Sequence, residues 1–219
     1  MPIIAPSLLA ANAGRLSEEI HSVEDAGAKY LHVDVMDGHF VPNLSFGPNI
    51  VAGIRQESRL YFDVHLMIEH PAHYAKAFID AGADAITVHA ESQSDPLRVY
   101  ELCQKENVGF GISLCPNTPL ECIKPLLGRL DILLIMSINP GFGGQAFMPE
   151  ACARIREAAR LREDSGAHYL ISVDGGVNAA NAAEIVAAGA DILVAGSAVF
   201  NKADRKEAIA SLQNGGKQL

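Results

Sequence analysis

The chain is short of cysteine, of long apolar runs and of basic side chains, and each shortage removes a class of protein. Its four cysteines, Cys103, Cys115, Cys122 and Cys152, include no Cys-x-x-Cys pair and are too sparse for a disulfide framework in 219 residues. A reducing, cytoplasmic compartment is expected. The longest apolar stretches, such as residues 132–136, fall far short of the ~18 residues of a membrane span. The opening Met1-Pro2-Ile3-Ile4-Ala5-Pro6 has no basic region of the kind that begins a leader peptide. A soluble, unprocessed protein with no membrane partner is expected. Lys and Arg number 17 against 26 Asp and Glu, a net charge of −9. Such a surface repels nucleic-acid phosphates and gains nothing at an anionic membrane. A phosphorylated ligand would have to be held locally, by main-chain amides. What the chain does have is apolar content: 49% hydrophobic against 20% charged residues is enough for a substantial core. That composition excludes a disordered tail, a collagen-like fibre and a disulfide-stapled mini-protein.

One phrase recurs four times. A helical-looking stretch ends in a Gly-Ala step (Gly27-Ala28, Gly82-Ala83, Gly166-Ala167 and Gly189-Ala190), and a short apolar run follows at once. Glycine just past a helix end takes the left-handed conformation that closes the last turn, so the phrase reads as helix, stop, strand. The runs at 30–34, 85–89, 169–173 and 192–195 are too short for helices and rich in Val, Ile and Leu, as strands buried on both faces are. Further strands are expected at 3–8, 60–67, 108–114 and 132–136, eight in all. Helical spacing is clearest at 149–163 and 178–188. Pro71, Pro96, Pro119 and Pro149 each stand where a helix would begin. Eight strand–helix units without a linker predict one (β/α)8 TIM barrel over residues 1–219. A doubly wound open sheet uses the same alternation and is the competing fold.

In a barrel the loops after the C-terminal strand ends carry the chemistry. Side chains alternate along a strand, so His32, Asp34 and Met36 share one face of the second strand, and Asp63, His65 and Met67 share one face of the third. The fourth strand ends in His89 and the seventh in Asp174. His32, Asp34, His65 and Asp174 are thereby candidates for one barrel mouth, and two imidazoles with two carboxylates suit a divalent metal. The alternative for each is a side chain satisfied within a polar barrel layer. Asp63 lies deeper and is given a structural role. Asp34 and Asp174 are the candidate proton-transfer groups. None of the seven lysines stands at the C-terminal end of an expected strand, so a Schiff-base mechanism has no nucleophile.

Glycine gathers in the later loops: Gly141, Gly143 and Gly144 around Phe142, then Gly175 and Gly176, then Gly196 beside Ser197. Without side chains, their amides can approach an anion, and loops after strands seven and eight are the usual phosphate site of such barrels.

Several strings together resemble the ribulose-phosphate 3-epimerase family: Ala5-Pro6-Ser7-Leu8-Leu9-Ala10, Leu31-His32-Val33-Asp34-Val35-Met36-Asp37-Gly38, Asp63-Val64-His65-Leu66-Met67, Asn139-Pro140-Gly141-Phe142-Gly143-Gly144-Gln145 and Val173-Asp174-Gly175-Gly176-Val177. The resemblance runs from the first strand to the eighth. It implies a metal-dependent barrel of the ribulose-phosphate-binding type that interconverts D-ribulose 5-phosphate and D-xylulose 5-phosphate, in the pentose phosphate pathway. By motif, His32, Asp34, His65 and Asp174 would hold one divalent ion, with Asp34 and Asp174 as the acid/base pair. Ser7 and His65 would touch the substrate. Gly141, Phe142, Gly143, Gly144, Asp174, Gly175, Gly176, Gly196 and Ser197 would hold its phosphate end. A homo-oligomer, dimer or hexamer, is implied. The chain departs from the family at Cys115-Pro116-Asn117, where Asn-Pro is commoner.

The donor set suits Zn, Fe(II), Mn(II) or Co alike. Epimerisation at C3 needs one proton-transfer group per face of an enediolate, which the two carboxylates provide. Residues 140–145 are expected to close over the substrate. Met36, Met67 and Met136 are either a water-excluding wall at the mouth or ordinary core. An epimerase of six-carbon ketose phosphates, such as allulose 6-phosphate, and a non-catalytic phosphosugar-binding barrel are the alternatives.

Overall fold

The computed structural model describes residues 1–215, so the last four residues of the expected domain lie outside the described part. Eight parallel strands run in chain order: β1 Ile3–Pro6, β2 Tyr30–Met36, β3 Tyr61–Met67, β4 Ala85–His89, β5 Gly109–Leu114, β6 Ile132–Met136, β7 Leu170–Asp174 and β8 Ile192–Ala195. From β2 to β8 each strand pairs with its sequence neighbour, and β8 also pairs with β1. The seam between β1 and β2 is closed by a single parallel bridge, Ser7 to His32. That bridge decides between the two expected folds: the sheet curls on itself as a TIM barrel and is not an open, doubly wound sheet.

Alternation along each strand sorts the side chains into two layers. Leu31, Val33 and Val35 of β2 and Phe62, Val64 and Leu66 of β3 face outward into the main apolar core under the helices. The residues between them face the barrel axis. Truncating one fully buried Leu or Phe of this outer layer to Ala costs about 2–5 kcal/mol.

The helices are α1 Leu16–Asp25, α2 Pro48–Arg55, α3 Pro71–Asp80, α4 Pro96–Glu106, α5 Ala151–Ser165, α6 Ala182–Ala187, α7 Ser197–Phe200 and α8 Arg205–Gln213. Proline opens α2, α3 and α4, and Asp95 caps α4 by accepting from the amide of Leu97 at 3.0 Å. All four glycines of the recurrent Gly-Ala step have positive φ, between 66° and 118°, as a left-handed helix stop requires.

An aspartate shortly after two of these steps has a further use. Asp84 and Asp191 each accept the amide of the second residue of the strand beside them, Phe62 at 2.7 Å and Ile171 at 2.9 Å. Arg55 and Arg162 reach the same two carboxylates. These clamps sit at the barrel's N-terminal end, where they serve stability.

Several boundaries differ by one or two residues from the pattern-based expectation, the 149–163 helix running Ala151–Ser165 for example, and three differences have a local cause. The run 120–129 is a 3₁₀ helix, because Pro125 inside it has no amide to donate and its ring opposes α-helical closure. The helix expected from 178 starts at Ala182, because Asn178 and Asn181 spend their side chains on local turns, each accepting a nearby amide. The first strand stops at Pro6, where the chain turns into a short 3₁₀ helix at Leu8–Ala10.

Candidate active site

The inward layer at the C-terminal end is polar. Ser7, His32, Asp34, Asp63, His65, Thr87 and His89 are all buried there. Parallel pairing of β2 with β3 sets His32 beside Asp63 and Asp34 beside His65. Three donor atoms then form a triangle. His32 Nε2, His65 Nδ1 and Asp34 Oδ1 lie 3.3 Å from one another on every side. Asp174, at the end of β7, brings a carboxylate oxygen within 4.8 Å of each of them.

This triangle fits a cation. An ion about 2.0–2.1 Å from three donors at tetrahedral angles holds those donors about 3.3–3.4 Å apart. The remaining ring nitrogens are already engaged, which directs the lone pairs to the common centre. His32 Nδ1 lies 2.9 Å from Asp63 Oδ2, and Asp63 Oδ1 in turn accepts from Thr87 Oγ1 at 2.8 Å. His65 Nε2 lies 2.9 Å from His89 Nε2. Asp63 therefore orients an imidazole from below the site, in keeping with the structural role expected for it.

The electrostatics push the two carboxylates apart. Burial alone would raise Asp34, but His32 and His65 hold it well below the usual carboxylate range. Asp174 is pushed up to about 7 by burial and by the charge on Asp34. His32 is raised well above its ordinary value, the carboxylates of Asp34 and Asp63 outweighing its burial. His65 falls to about 4, chiefly through burial. Without a cation, one carboxylate is ionised and its partner retains a proton near neutrality, a division of the kind found in acid/base pairs.

Ser7 Oγ donates to Asp34 Oδ2 at 2.6 Å. That oxygen is the one left over by the triangle, and both residues line an open cavity of about 1020 Å³ at the mouth. Asp174 lines it from the end of β7, and so do Gly141, Phe142, Gly143 and Gly144, Gly175 and Gly176, and Gly196 with Ser197 from the loops after β6, β7 and β8. The structure therefore brings every expected site residue to one mouth, with His32 and His65 beneath the cavity wall. Met36, Met67 and Met136 line the same cavity while being at most 5% exposed, so they are both wall and core.

The glycine loops differ in how they are held. Gly175 and Gly176 have φ of 121° and 64°, and a Cβ on Gly176 would collide with the main chain of Phe147. Among the described residues, the amides of Gly176, Ser197 and Ala198 donate to no protein acceptor, which leaves them available to an anion. The 140–145 loop is laced by Gln145 Nε2, which donates to Asn139 O and Phe142 O at 2.9 Å, while Phe142 itself is 53% exposed. Asn43 Nδ2 ties this loop to the one after β2 by donating to Gly141 O at 2.8 Å.

Sequence reasoning assigned no role to His89, Thr87 or Glu91. The signal available was parity: His89 stands two residues after Thr87 on the inward face of β4, beside β3, which carries His65.

A polar group at the C-terminal mouth, ringed by glycine loops, defines the class: a (β/α)8-barrel enzyme with its chemistry at that end. The chain is 46% identical over 211 residues to the ribulose-phosphate 3-epimerase of Bacillus subtilis (strain 168), covering 96% of this chain and 97% of that one. It is 47% identical over 214 residues to the ribulose-phosphate 3-epimerase of Synechocystis, covering 97% and 93%. The fold alone is shared with 3-keto-L-gulonate-6-phosphate decarboxylase from Vibrio cholerae, at a TM-score of 0.74 and 15% identity over 98% of this chain and 96% of that one. The model of the ribulose-phosphate 3 epimerase family matches residues 3–200, and the chain belongs to that family.

Proposed function

We propose that the chain interconverts D-ribulose 5-phosphate and D-xylulose 5-phosphate, with Asp34 and Asp174 moving the C3 proton on opposite faces of the sugar. The observation that carries this reading is the pair itself: two carboxylates on β2 and β7, in one cavity, with ionisation driven in opposite directions. Asp34, ionised and oriented by Ser7, takes the proton α to the C2 carbonyl. Asp174 delivers a proton to the other face, and the two exchange roles in the reverse direction. Such transfer contributes about 10²–10⁴-fold to rate. His32, Asp34, His65 and Asp174 would hold a divalent ion, Zn, Fe(II), Mn or Co, that supplies Lewis-acid stabilisation of the oxyanion developing on the substrate.

The amides of Gly176 and Ser197 support a phosphate at the far end of the cavity, with Gly141, Phe142, Gly143, Gly144, Gly175 and Gly196 closing around it. The methionines exclude water from the reacting carbons. A phosphorylated ketose is thus the partner, in a cytoplasmic protein, and no described helix is long and apolar enough to cross a membrane. A dimer or hexamer belongs to the same reading. The test compares kcat/KM of the metal-loaded protein on ribulose 5-phosphate with that on six-carbon ketose phosphates. Preference for the five-carbon substrate, abolished by EDTA and restored by metal, is expected. Equal or better turnover of allulose 6-phosphate would overturn the substrate assignment.

A further inference from the structure

The buried His89 and the half-buried Glu91 and Cys115 form a second group of donor atoms, all within 4.8 Å of one another, next to the four residues already described. Two roles compete for this group: a second cation site, or an extension of the first. Proton bookkeeping on the hydrogen bonds separates them. His65 presents Nδ1 to the triangle, so with an ion there its one ring proton is on Nε2. That Nε2 lies 2.9 Å from His89 Nε2, which must then accept. His89 consequently carries its own proton on Nδ1, which faces Glu91 Oε2 at 3.1 Å and Cys115 Sγ at 3.6 Å. A protonated Nδ1 is a donor and cannot ligate a second ion.

We infer that His89 and Glu91 are positioning residues, which fix the tautomer and ring orientation of His65 through the chain His65 Nε2–H to His89 to Glu91. This rests on the proposed metal-binding role of the four-residue site. The far end is anchored: Glu91 Oε1 accepts the main-chain amide of Cys115 at 2.8 Å. His89 is held from the side by Phe40, with ring centroids 4.7 Å apart. The chain gives His65 the same kind of support that Asp63 gives His32, but through one additional imidazole. It also accounts for the departure at Cys115, because the contact the chain uses there is the main-chain amide, and the thiol is free to differ.

Two measurements on the full chain test this. Long-range ¹H–¹⁵N correlation of the zinc-loaded protein should show His65 protonated on Nε2 and His89 on Nδ1; the opposite tautomer at His89 overturns the inference with no variant needed. Competition titration with zinc should give one ion per chain. His89→Leu should weaken that binding by about 10–100-fold, and His89→Gln, whose amide oxygen can accept from His65, should recover most of it. Glu91→Gln should weaken it less, and Cys115→Ser should leave it unchanged. Unaltered zinc affinity in His89→Leu overturns the chain. A second bound ion that disappears in Cys115→Ser replaces it with an independent cation site. If the wild-type protein binds no ion, or binds it equally in Asp34→Asn, the metal-binding reading itself fails, and that result is distinct from either outcome above.

Discussion

Asp63 gives the sharpest separation of orientation from packing. It is 1% exposed and serves two partners, His32 Nδ1 at 2.9 Å and Thr87 Oγ1 at 2.8 Å. In Asp63→Asn the amide oxygen still accepts from His32, and the amide nitrogen donates to Thr87, whose hydroxyl rotates to accept. Both contacts survive, but the Thr87 hydroxyl proton loses its acceptor and the negative charge behind His32 is lost. Stability of the metal-free protein should therefore fall by about 1–3 kcal/mol, because that charge helps to hold His32 protonated, while metal affinity falls by about 10–100-fold, the usual cost of removing a carboxylate behind a ligating imidazole. Asp63→Leu removes both acceptors and leaves two buried donors unpaired at about 1–3 kcal/mol each, so about 2–6 kcal/mol of stability should go as well. Metal affinity is read by competition titration and stability by urea unfolding of the metal-free proteins. Unchanged affinity in Asp63→Asn would refute the orienting role. Equal destabilisation by Asn and Leu would show that charge, and not pairing, holds this layer together.

Further predictions concern the mouth. Asp34→Asn and Asp174→Asn should each lower kcat by at least about 10²-fold with circular dichroism and unfolding cooperativity retained; wild-type turnover in either variant ends the two-carboxylate account. Metal binding should expel protons, because metal-free His32 is held protonated by Asp34 and Asp63 and Asp174 is raised to about 7. More than one proton per ion is expected at pH 6, and the Asp174 share should vanish as pH rises above about 7. Calorimetry in buffers of different ionisation enthalpy measures this, and a pH-independent count contradicts it. Gly176→Ala must force a Cβ into the main chain of Phe147 at a φ of 64°. It should raise KM for the phosphorylated substrate at least about tenfold if the loop binds phosphate, at a stability cost of about 1–3 kcal/mol; an unchanged KM would remove the loop from the phosphate site.

Much of this was legible in one dimension because a closed barrel repeats one local instruction. The Gly-Ala step marks a helix stop wherever it occurs, and strands buried on both faces announce themselves as short Val/Ile/Leu runs. Period-two alternation likewise put His32 with Asp34 and Asp63 with His65. Inter-strand register was not legible, since it comes from how two separate strands slide against each other. For that reason the His32–Asp63 pairing, the Thr87 contact and the line from His65 through His89 to Glu91 emerge only in three dimensions. The same holds for the seam: whether Ser7 meets His32 depends on the accumulated twist of eight strands and on no residue pattern near either end. The 3₁₀ run at 120–129 escaped because Pro119 reads as a helix start, while Pro125, six residues later, removes the amide that an α-helix needs.

The claim at the centre of the account is that two carboxylates on opposite faces move the C3 proton. It is tested most directly by following early turnover of D-ribulose 5-phosphate by the metal-loaded protein in D2O, with proton NMR and mass spectrometry of the product. Transfer between two separate groups predicts xylulose 5-phosphate carrying solvent deuterium at C3 from the first turnovers, while unreacted substrate stays protonated. Product that retains the substrate's own C3 proton would mean that a single group removes and returns it, and would contradict the account.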